Sequence, residues 1–272
     1  MELSSASPYL SPEGRGNKVR GSSARRQKVA SVIRVGWIPY LNCEPFYEGL
    51  PAPAERLHPR ALGEAVAAGN LDAGPLSLAD CLRLEGSVER LPFGIAGPRG
   101  QSVFLFSHRP LAELSGAIIG VTGETSTSVR LLKILLAFRY EVKPEYTELD
   151  LGRDAILLIG DHALKARKGT RYTHCYDLGE EWNRWTGLPF TFAAWGVRSS
   201  APKSEREEFT CTLGSALDHG LSRLPEIAVR RRDLGLPDQE IITYLQGFTY
   251  RLGSEEEKAV SEFSGLLALL EK

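Results

Sequence analysis

The sequence predicts a two-lobed α/β protein with mixed, mainly parallel sheets covered by helices and a two-stranded hinge between the lobes. Segments typical of strands and helices alternate along the chain, which favours largely parallel sheets. Two separate β-α cycles, one starting near residue 32 and the other near residue 117, indicate two lobes. The strand segments 102–106 and 190–197 are positioned to leave the first lobe and to return to it. Paired crossings of this kind favour closure around a ligand.

The N-terminal segment, residues 1–30, is expected to be a disordered basic extension. It holds six Lys or Arg against two Glu and few apolar side chains, so burial cannot offset the entropy of ordering it. The whole chain has a formal net charge of −1, which does not indicate nucleic-acid binding. No apolar run precedes residue 32, and none is long enough to span a bilayer. We therefore expect a cytoplasmic protein with neither a nucleic-acid nor a membrane partner.

The first β-α cycle begins with the β-branched run 32–38, which is typical of a buried strand. Residues 60–69 have helical spacing and end in a glycine stop. Ser77 is a predicted cap for the next helix. Two further strands are predicted at 93–96 and 102–106.

The second cycle begins with a predicted strand at 117–121, and a run of hydroxyl residues then leads into a helix. Residues 155–159 are the clearest buried strand of the sequence. A helix is predicted at 182–186 and a strand at 190–197. The last quarter is mostly helical, and its final helix starts with a predicted capping box at 254–257.

These elements divide the chain into three parts. Residues 1–30 are the extension, residues 31–108 together with 197–272 form lobe 1, and residues 109–196 form an inserted lobe 2. Ligands of such sheets bind outside the carboxyl ends of the strands, and the polar loops of this sequence lie there.

The loop after the first strand carries the candidate catalytic residue, Asn42. Pro39 and Pro45 fix the backbone of this loop, and Asn42 offers both a hydrogen-bond donor and an acceptor at its tip. A cap for the following turn explains this residue equally well.

Four consecutive hydroxyl residues precede a predicted helix and form a candidate anion-binding site. Hydroxyls together with the unpaired amides of a helix N-terminus favour an anion. Helix capping explains one or two of these hydroxyls, but four exceed what a cap needs. The four residues are Thr125, Ser126, Thr127 and Ser128.

Three more polar residues at strand ends, Ser77, Ser102 and Asp161, are candidate substrate-binding residues. Each is also explained as a cap or turn residue, and a helix cap is favoured over an acid-base group for Asp161.

No dinucleotide-binding loop, P-loop or Ser-His-Asp order is present, and no histidine is assigned to catalysis. The residues alone fit a binding protein as well as an enzyme.

The four cysteines, Cys43, Cys81, Cys175 and Cys211, are widely spaced and have no nearby paired histidine. This spacing does not indicate a metal site. We expect no metal or other cofactor, and we expect the thiols to act as small buried apolar groups.

Six motifs, in order along the chain from residue 32 to the end, resemble those of the chorismate dehydratases of the futalosine route to menaquinone. Leu78 stands where that family commonly has a second serine, so one hydroxyl is missing. The resemblance implies the periplasmic-binding-protein-like (type II) fold. The motifs are WIPYLNCEPF at 37–46, PLSL at 75–78, QSV at 101–103, TSTSV at 125–129, LIGDHAL at 158–164 and WNRWTGLPFTFAAW at 182–195.

The resemblance also implies the activity of a hydro-lyase that converts chorismate, a dicarboxylate, to 3-[(1-carboxyvinyl)oxy]benzoate. In that interpretation Asn42 positions the ring hydroxyl or the enolpyruvyl group. Ser126, Thr127 and Ser128 hold one carboxylate, and Ser77 and Ser102 hold the other. The enolpyruvyl carboxylate of the substrate is then expected to accept the proton.

Three alternatives stay open. A non-enzymatic carboxylate-binding protein can have the same fold. The sister dihydroxynaphthoate synthase has a different opening loop and is expected to use a catalytic histidine. A regulatory effector domain would need a DNA-binding segment, which this chain lacks.

Overall fold

A computed structural model describes residues 33–272, apart from residues 52, 54 and 170. The predicted basic extension, residues 1–30, lies outside the described residues, as does the predicted start of the first strand. Ile33–Lys272 form one compact unit.

Strands and helices alternate through most of this unit, as predicted. The strands are β1 (Gly36–Trp37), β2 (Glu55–Arg56), β3 (Ala73–Ser77), β4 (Val88–Gly97), β5 (Val103–Ser107), β6 (Ile118–Val121), β7 (Glu145–Glu148), β8 (Ala155–Ile159), β9 (His174–Asp177), β10 (Phe190–Arg198) and β11 (Thr249–Arg251). The helices are α1 (Glu44–Tyr47), α2 (Pro59–Ala68), α3 (Leu78–Arg83), α4 (Thr127–Ile134), α5 (Gly160–Ala166), α6 (Leu178–Thr186), α7 (Lys203–Leu221), α8 (Leu224–Arg230), α9 (Asp238–Gln246) and α10 (Ser254–Leu270).

The strands form two larger sheets and one short parallel pair, β1 with β2. The larger sheets have the orders β11-β4-β10-β3 and β7-β6-β8-β5-β9. The prediction of mixed sheets is confirmed, whereas the predicted predominance of parallel pairing is wrong. The pairings of the four-stranded sheet are antiparallel, and β5 is antiparallel to both β8 and β9. Only β6 pairs in parallel with its neighbours β7 and β8 within the described part of the five-stranded sheet.

The antiparallel pairings follow from the path of the chain between the sheets. β4 ends in one sheet and β5 begins in the other, and the chain returns from β9 through α6 to β10. The outgoing strand β4 and the returning strand β10 lie side by side and therefore run in opposite directions. The change of sheet falls between residues 97 and 103 and again between residues 177 and 190. The predicted lobe boundaries, at 108/109 and 196/197, stay a prediction.

Several local signals produce the elements that the sequence predicts. Gly69 adopts the left-handed conformation, with φ of 78°, and ends α2, a conformation that costs glycine little. Ser77 caps α3 by accepting a hydrogen bond from the Asp80 amide, and Gly187 ends α6. The predicted capping box at 254–257 is wrong, because the N-cap of α10 is Gly253, which has no side chain to accept a hydrogen bond. Only the reciprocal hydrogen bond, from the Gly253 amide to Glu256, is present among the described residues.

Bulky aromatic side chains form part of the core. Trp182 and Trp195 are fully buried, and Trp182 packs edge-on against Phe190 and Phe263.

The prediction of buried cysteines is only half right. Cys43 and Cys81 are buried, whereas the other two, Cys175 and Cys211, are exposed. Within the described residues, no helix has the length and apolar character needed to cross a membrane.

Asp177 joins the two segments in which the chain changes sheet. Its carboxylate accepts hydrogen bonds from the amides of Gly100 and Gln101, both at 2.7 Å, in the outgoing segment. It also caps α6 by accepting from the amides of Gly179 and Glu180 at 2.9 and 3.1 Å. One carboxylate therefore links the outgoing and the returning segment.

We expect Asp177→Ala to lower the free energy of unfolding by about 2 to 4 kcal/mol, because it removes a helix cap and leaves buried amides without an acceptor. Urea unfolding followed by circular dichroism measures the change. The matched control is Asp238→Ala, which removes a half-exposed carboxylate in the first turn of another helix, where it pairs only with the exposed Arg232 among the described residues, and should leave the midpoint nearly unchanged. Equal midpoints for the two variants would contradict this role of Asp177.

Candidate active site

A partly enclosed cavity lies among loops that follow the strands of both larger sheets, and the space between its walls, including the part open to solvent, is about 510 Å³. The apolar part of its lining consists of Ile38, Pro59, Ile95, Val103, Ile159, Phe192 and Ala193. The polar lining residues are Tyr40, Asn42, Cys43, Ser77, Ser102, Thr125, Ser126, Thr127 and Ser128.

The cavity brings together seven of the eight predicted site residues, that is, all except Asp161. They come from loops far apart in sequence, and they meet because the loops that follow β3 and β6 face the turn that follows β1. Among the described residues that line the cavity, none has a charged side chain. A bound anion would therefore be held by neutral donors. Within the described part of the chain, no group of His, Cys, Asp and Glu is arranged to hold a metal ion.

Asn42 lies in the short 3-10 helix Leu41–Cys43, which leads into α1. Its carboxamide oxygen accepts a weak hydrogen bond from the Cys43 thiol at 3.6 Å. The amide nitrogen of the same side chain has no partner among the described residues. Because the residue lines the cavity, this nitrogen is available to donate to a ligand.

The hydroxyls at the start of α4 are held in place by protein amides. The Thr125 hydroxyl accepts from the Ser128 amide at 3.1 Å, and the Thr127 hydroxyl accepts from the Ala79 amide of α3 at 2.9 Å. A hydroxyl that accepts one hydrogen bond still has its own hydrogen to donate. Capping therefore explains the position of Thr125 without removing it as a donor.

Within this group, Ser126 and Ser128 have the hydroxyls with the weakest hydrogen bond or none. The Ser126 oxygen accepts from Arg130 at 3.3 Å, and the Ser128 hydroxyl has no partner within the part of the chain that the structure describes. Both side chains are buried, with 9% and 7% of their surface exposed. The amides in the first turn of a helix have no intrahelical acceptor. Apart from the Ser128 amide, which donates to Thr125, this corner of the cavity therefore combines free amides with hydroxyls that can donate.

The other two predicted serines already have strong partners. Ser77 donates to the Asp80 carboxylate at 2.6 Å and accepts from its amide at 3.2 Å, as its interpretation as a helix cap requires. Ser102 lies 2.7 Å from the Tyr244 hydroxyl. Burial raises the pKa of Tyr244 well above its ordinary value, so Tyr244 stays protonated and can donate to Ser102. The Ser102 proton then has only the Gly100 carbonyl as an acceptor, at 3.5 Å, and a ligand can replace this weak hydrogen bond.

Asp161 is not among the lining residues, and its interpretation as a helix cap is wrong. It lies in the first turn of α5 but accepts no hydrogen bond from that helix. One carboxylate oxygen accepts from the Leu41 amide at 2.9 Å, and the other pairs with Arg231. Substrate contact by Asp161 stays a prediction.

Tyr40 and Cys43 line the cavity although nothing in their motif distinguished them as site residues. The Tyr40 hydroxyl donates to Glu124 at 2.6 Å. Burial, and to a lesser extent this hydrogen bond, raises the pKa of Tyr40 well above its ordinary value. Burial likewise raises the pKa of the Cys43 thiol, so both groups stay neutral. A thiolate nucleophile is therefore not favoured here.

Gly160 lines the cavity at a position where the backbone conformation favours glycine. Its φ is +57°, and a Cβ atom would lie 2.7 Å from the Tyr40 ring. A side chain at this position would strain the backbone and force the Tyr40 ring, which also lines the cavity, to move.

We expect Gly160→Ala to lower kcat/KM for the substrate about 5- to 30-fold, in line with a strain of about 1 to 2 kcal/mol. Steady-state kinetics measures the effect. The control is Gly169→Ala, since a Cβ atom at Gly169 meets nothing within 4 Å. Unchanged kinetics in Gly160→Ala would show that the close approach to Tyr40 has no functional importance.

Solved structures of a protein from Archaeoglobus fulgidus and of a periplasmic binding protein from Escherichia coli share this fold. Protein AF1704 from Archaeoglobus fulgidus superposes with a TM-score of 0.72 at 17% identity, covering 87% of this chain and 97% of that one. The periplasmic aliphatic sulphonate binding protein SsuA from Escherichia coli superposes with a TM-score of 0.61 at 16% identity, covering 88% and 87%. These similarities confirm the predicted two-lobed, periplasmic-binding-protein-like fold.

Sequence comparisons identify the family. The family described as menaquinone biosynthesis matches residues 33–268. Chorismate dehydratase from Thermus thermophilus is 32% identical over 256 residues, which cover 85% of this chain and 93% of that enzyme. Because both matches span most of the chain, it belongs to the menaquinone biosynthesis family.

Proposed function

We propose that this protein is a chorismate dehydratase that forms 3-[(1-carboxyvinyl)oxy]benzoate in the cytoplasm, as a step of the futalosine route to menaquinone. The observation that carries the proposal is the single cavity shared by Asn42 and the hydroxyls of residues 125–128. The identity of 32% to a chorismate dehydratase supports the same activity.

The cavity has the two kinds of surface that such a substrate requires. Apolar side chains, among them Ile95, Val103 and Phe192, suit the carbon ring. The hydroxyls and free amides at the start of α4 suit one carboxylate. Ser102 suits the second carboxylate, whereas the Ser77 proton is already donated to Asp80. Charged hydrogen bonds of this kind are stronger than neutral ones, so neutral donors are sufficient for a dianion.

The reaction needs little from the protein beyond orientation. The hydrogen on the ether-bearing carbon leaves as a proton, and its electron pair forms the new ring double bond. The ring hydroxyl leaves from the neighbouring carbon and combines with that proton as water. The ring becomes aromatic, which drives the elimination. Fixing the reacting groups in one geometry is therefore the main contribution of the site.

The enolpyruvyl carboxylate of the substrate is the proposed proton acceptor. No ionisable acid or base with an ordinary pKa lines the described cavity, whereas the substrate brings two carboxylates. The amide of Asn42 would hold the enolpyruvyl group or the ring hydroxyl so that transfer is short. Asp161 would act through the Leu41 amide rather than on the substrate.

The sister dihydroxynaphthoate synthase is less well supported. That enzyme is expected to use a catalytic histidine, and no histidine is among the described lining residues. A non-enzymatic binding protein predicts binding of chorismate without turnover.

The test is to incubate the purified protein with chorismate and to follow products by liquid chromatography and proton NMR. The proposal predicts 3-[(1-carboxyvinyl)oxy]benzoate in amounts that grow with protein concentration. A sample without protein corrects for spontaneous rearrangement of chorismate. Saturable binding with no product above that blank would support the binding-protein alternative and reject the enzyme.

A further inference from the structure

A buried ion cluster lies next to the cavity but does not line it. Arg231 follows α8, and only 12% of its side-chain surface is exposed. Its guanidinium contacts the carboxylate of Glu44 at 2.8 Å, that of Asp161 and that of Asp233 at 3.2 Å. The side chains of Glu44 and Asp161 are also largely buried, at 22% and 15% exposed.

Two of these carboxylates link Arg231 to the chain on either side of Asn42, one through a backbone amide and the other through its own residue. Asp161 accepts a hydrogen bond from the amide of Leu41, the residue before Asn42, at 2.9 Å. Glu44, two residues after Asn42, is the first residue of α1. The guanidinium of Arg231 therefore ties down both ends of the turn that presents Asn42 to the cavity.

The cluster also joins helices that are far apart in sequence. Asp161 lies on α5, directly after β8 of the five-stranded sheet, whereas Glu44 begins α1 and Arg231 follows α8. Without Arg231, the two carboxylates would repel each other in a partly buried setting. Asp161 would then be free to leave the Leu41 amide, and the turn would lose its contact with α5.

We infer that Arg231 is a positioning residue for the proposed reaction. It sets the orientation of Asn42 through Glu44 and through the Asp161–Leu41 hydrogen bond, and among the described residues it forms no hydrogen bond or ion pair with a cavity-lining side chain. The inference rests on the proposed function, because it assigns the orientation of Asn42 a role in turnover. It also gives Asp161 the role of positioning residue in place of substrate contact.

The flanking arginines provide matched controls. Arg230 pairs with Glu48 and is 45% exposed. Arg232 pairs with Asp238 and is 62% exposed. Both carry the same charge as Arg231, but within the described chain neither forms a hydrogen bond with Glu44 or Asp161.

The experiment compares Arg231→Met, Arg231→Lys and Arg230→Met in steady-state turnover of chorismate. We expect Arg231→Met to lower kcat about 10- to 100-fold, as a misplaced reacting group does, with KM changed by less than about threefold since the carboxylate donors stay intact. Arg231→Lys should be impaired too, because one ammonium group cannot bridge two carboxylates as a guanidinium does. Arg230→Met should behave as wild type.

A kcat within about threefold of wild type in Arg231→Met, or a rise in KM alone, would overturn the inference. If Arg231→Met does not fold, Arg231→Lys keeps the charge and decides the question by the same two criteria. Amide hydrogen exchange of residues 41–47 tests the positioning role of Arg231 separately from the proposed function. Faster exchange there in Arg231→Met than in Arg230→Met supports the positioning role even if wild type does not convert chorismate, and equal exchange rejects it.

Discussion

Asn42→Ala is expected to lower kcat for chorismate about 10²- to 10³-fold, the loss typical for removal of one preorganised hydrogen-bond donor. Stability should change little, because the Asn42 side chain makes only the weak hydrogen bond from the Cys43 thiol within the described residues. KM should change much less than kcat, since the proposed carboxylate donors lie on other loops. Product formation under saturating chorismate measures the effect, and thermal unfolding measures the stability.

The control for this variant is Asn70→Ala, which removes an exposed asparagine just after α2 and should have wild-type kinetics. Asn42→Asp is informative as well. It keeps the shape of the side chain but replaces the free amide donor by a carboxylate, which repels a dianion. We expect it to be at least as impaired as Asn42→Ala. Near-normal turnover in either Asn42 variant would remove Asn42 from the mechanism.

Ser128→Ala is expected to raise KM about 10- to 100-fold, because a hydrogen bond to a charged group contributes about 1.5 to 3 kcal/mol. Its hydroxyl has no partner in the described chain, so the variant leaves no protein group unsatisfied. Its backbone amide keeps its bond to Thr125. The effect should therefore appear in binding rather than in stability, and isothermal calorimetry with the product measures it.

Two comparisons make the Ser128 result specific. Ser261→Ala removes an exposed hydroxyl that bonds its own helix and should leave KM unchanged. Thr127→Val removes the acceptor of the Ala79 amide and should lower stability together with affinity. A KM for Ser128→Ala equal to that of Ser261→Ala would mean that the start of α4 does not bind the substrate.

The local elements were predictable from the sequence because their signals are local. Gly69 and Gly187 end helices, Ser77 begins one, and the apolar run at β8 is fully buried. The pairing of strands depends on contacts between distant segments. Alternation of strands and helices led to the wrong expectation of mainly parallel sheets, because it does not show that β10 returns beside β4.

The candidate site was predictable where residues follow a strand in a recognisable motif. Asn42, Ser102 and the hydroxyls at the start of α4 all reach one cavity. The sequence could not reveal the partners of Asp161, since Leu41 lies 120 residues away and Arg231 lies 70 residues away. Nor could it show that Tyr40 lines the cavity. Tyr40 directly precedes the short 3-10 helix Leu41–Cys43, and the orientation of so short an element depends on the elements packed around it.

The central claim is that neutral donors from several loops hold a dicarboxylate with Asn42 beside its reacting groups. A crystal structure of the protein with 3-[(1-carboxyvinyl)oxy]benzoate tests this claim most directly. The account predicts one carboxylate within hydrogen-bond distance of the Ser128 hydroxyl and the amides that begin α4, with the Asn42 amide directed at the ether oxygen or at the carbon that carried the hydroxyl. Product bound outside this cavity, or carboxylates paired with Lys or Arg side chains while Asn42 points away, would contradict it.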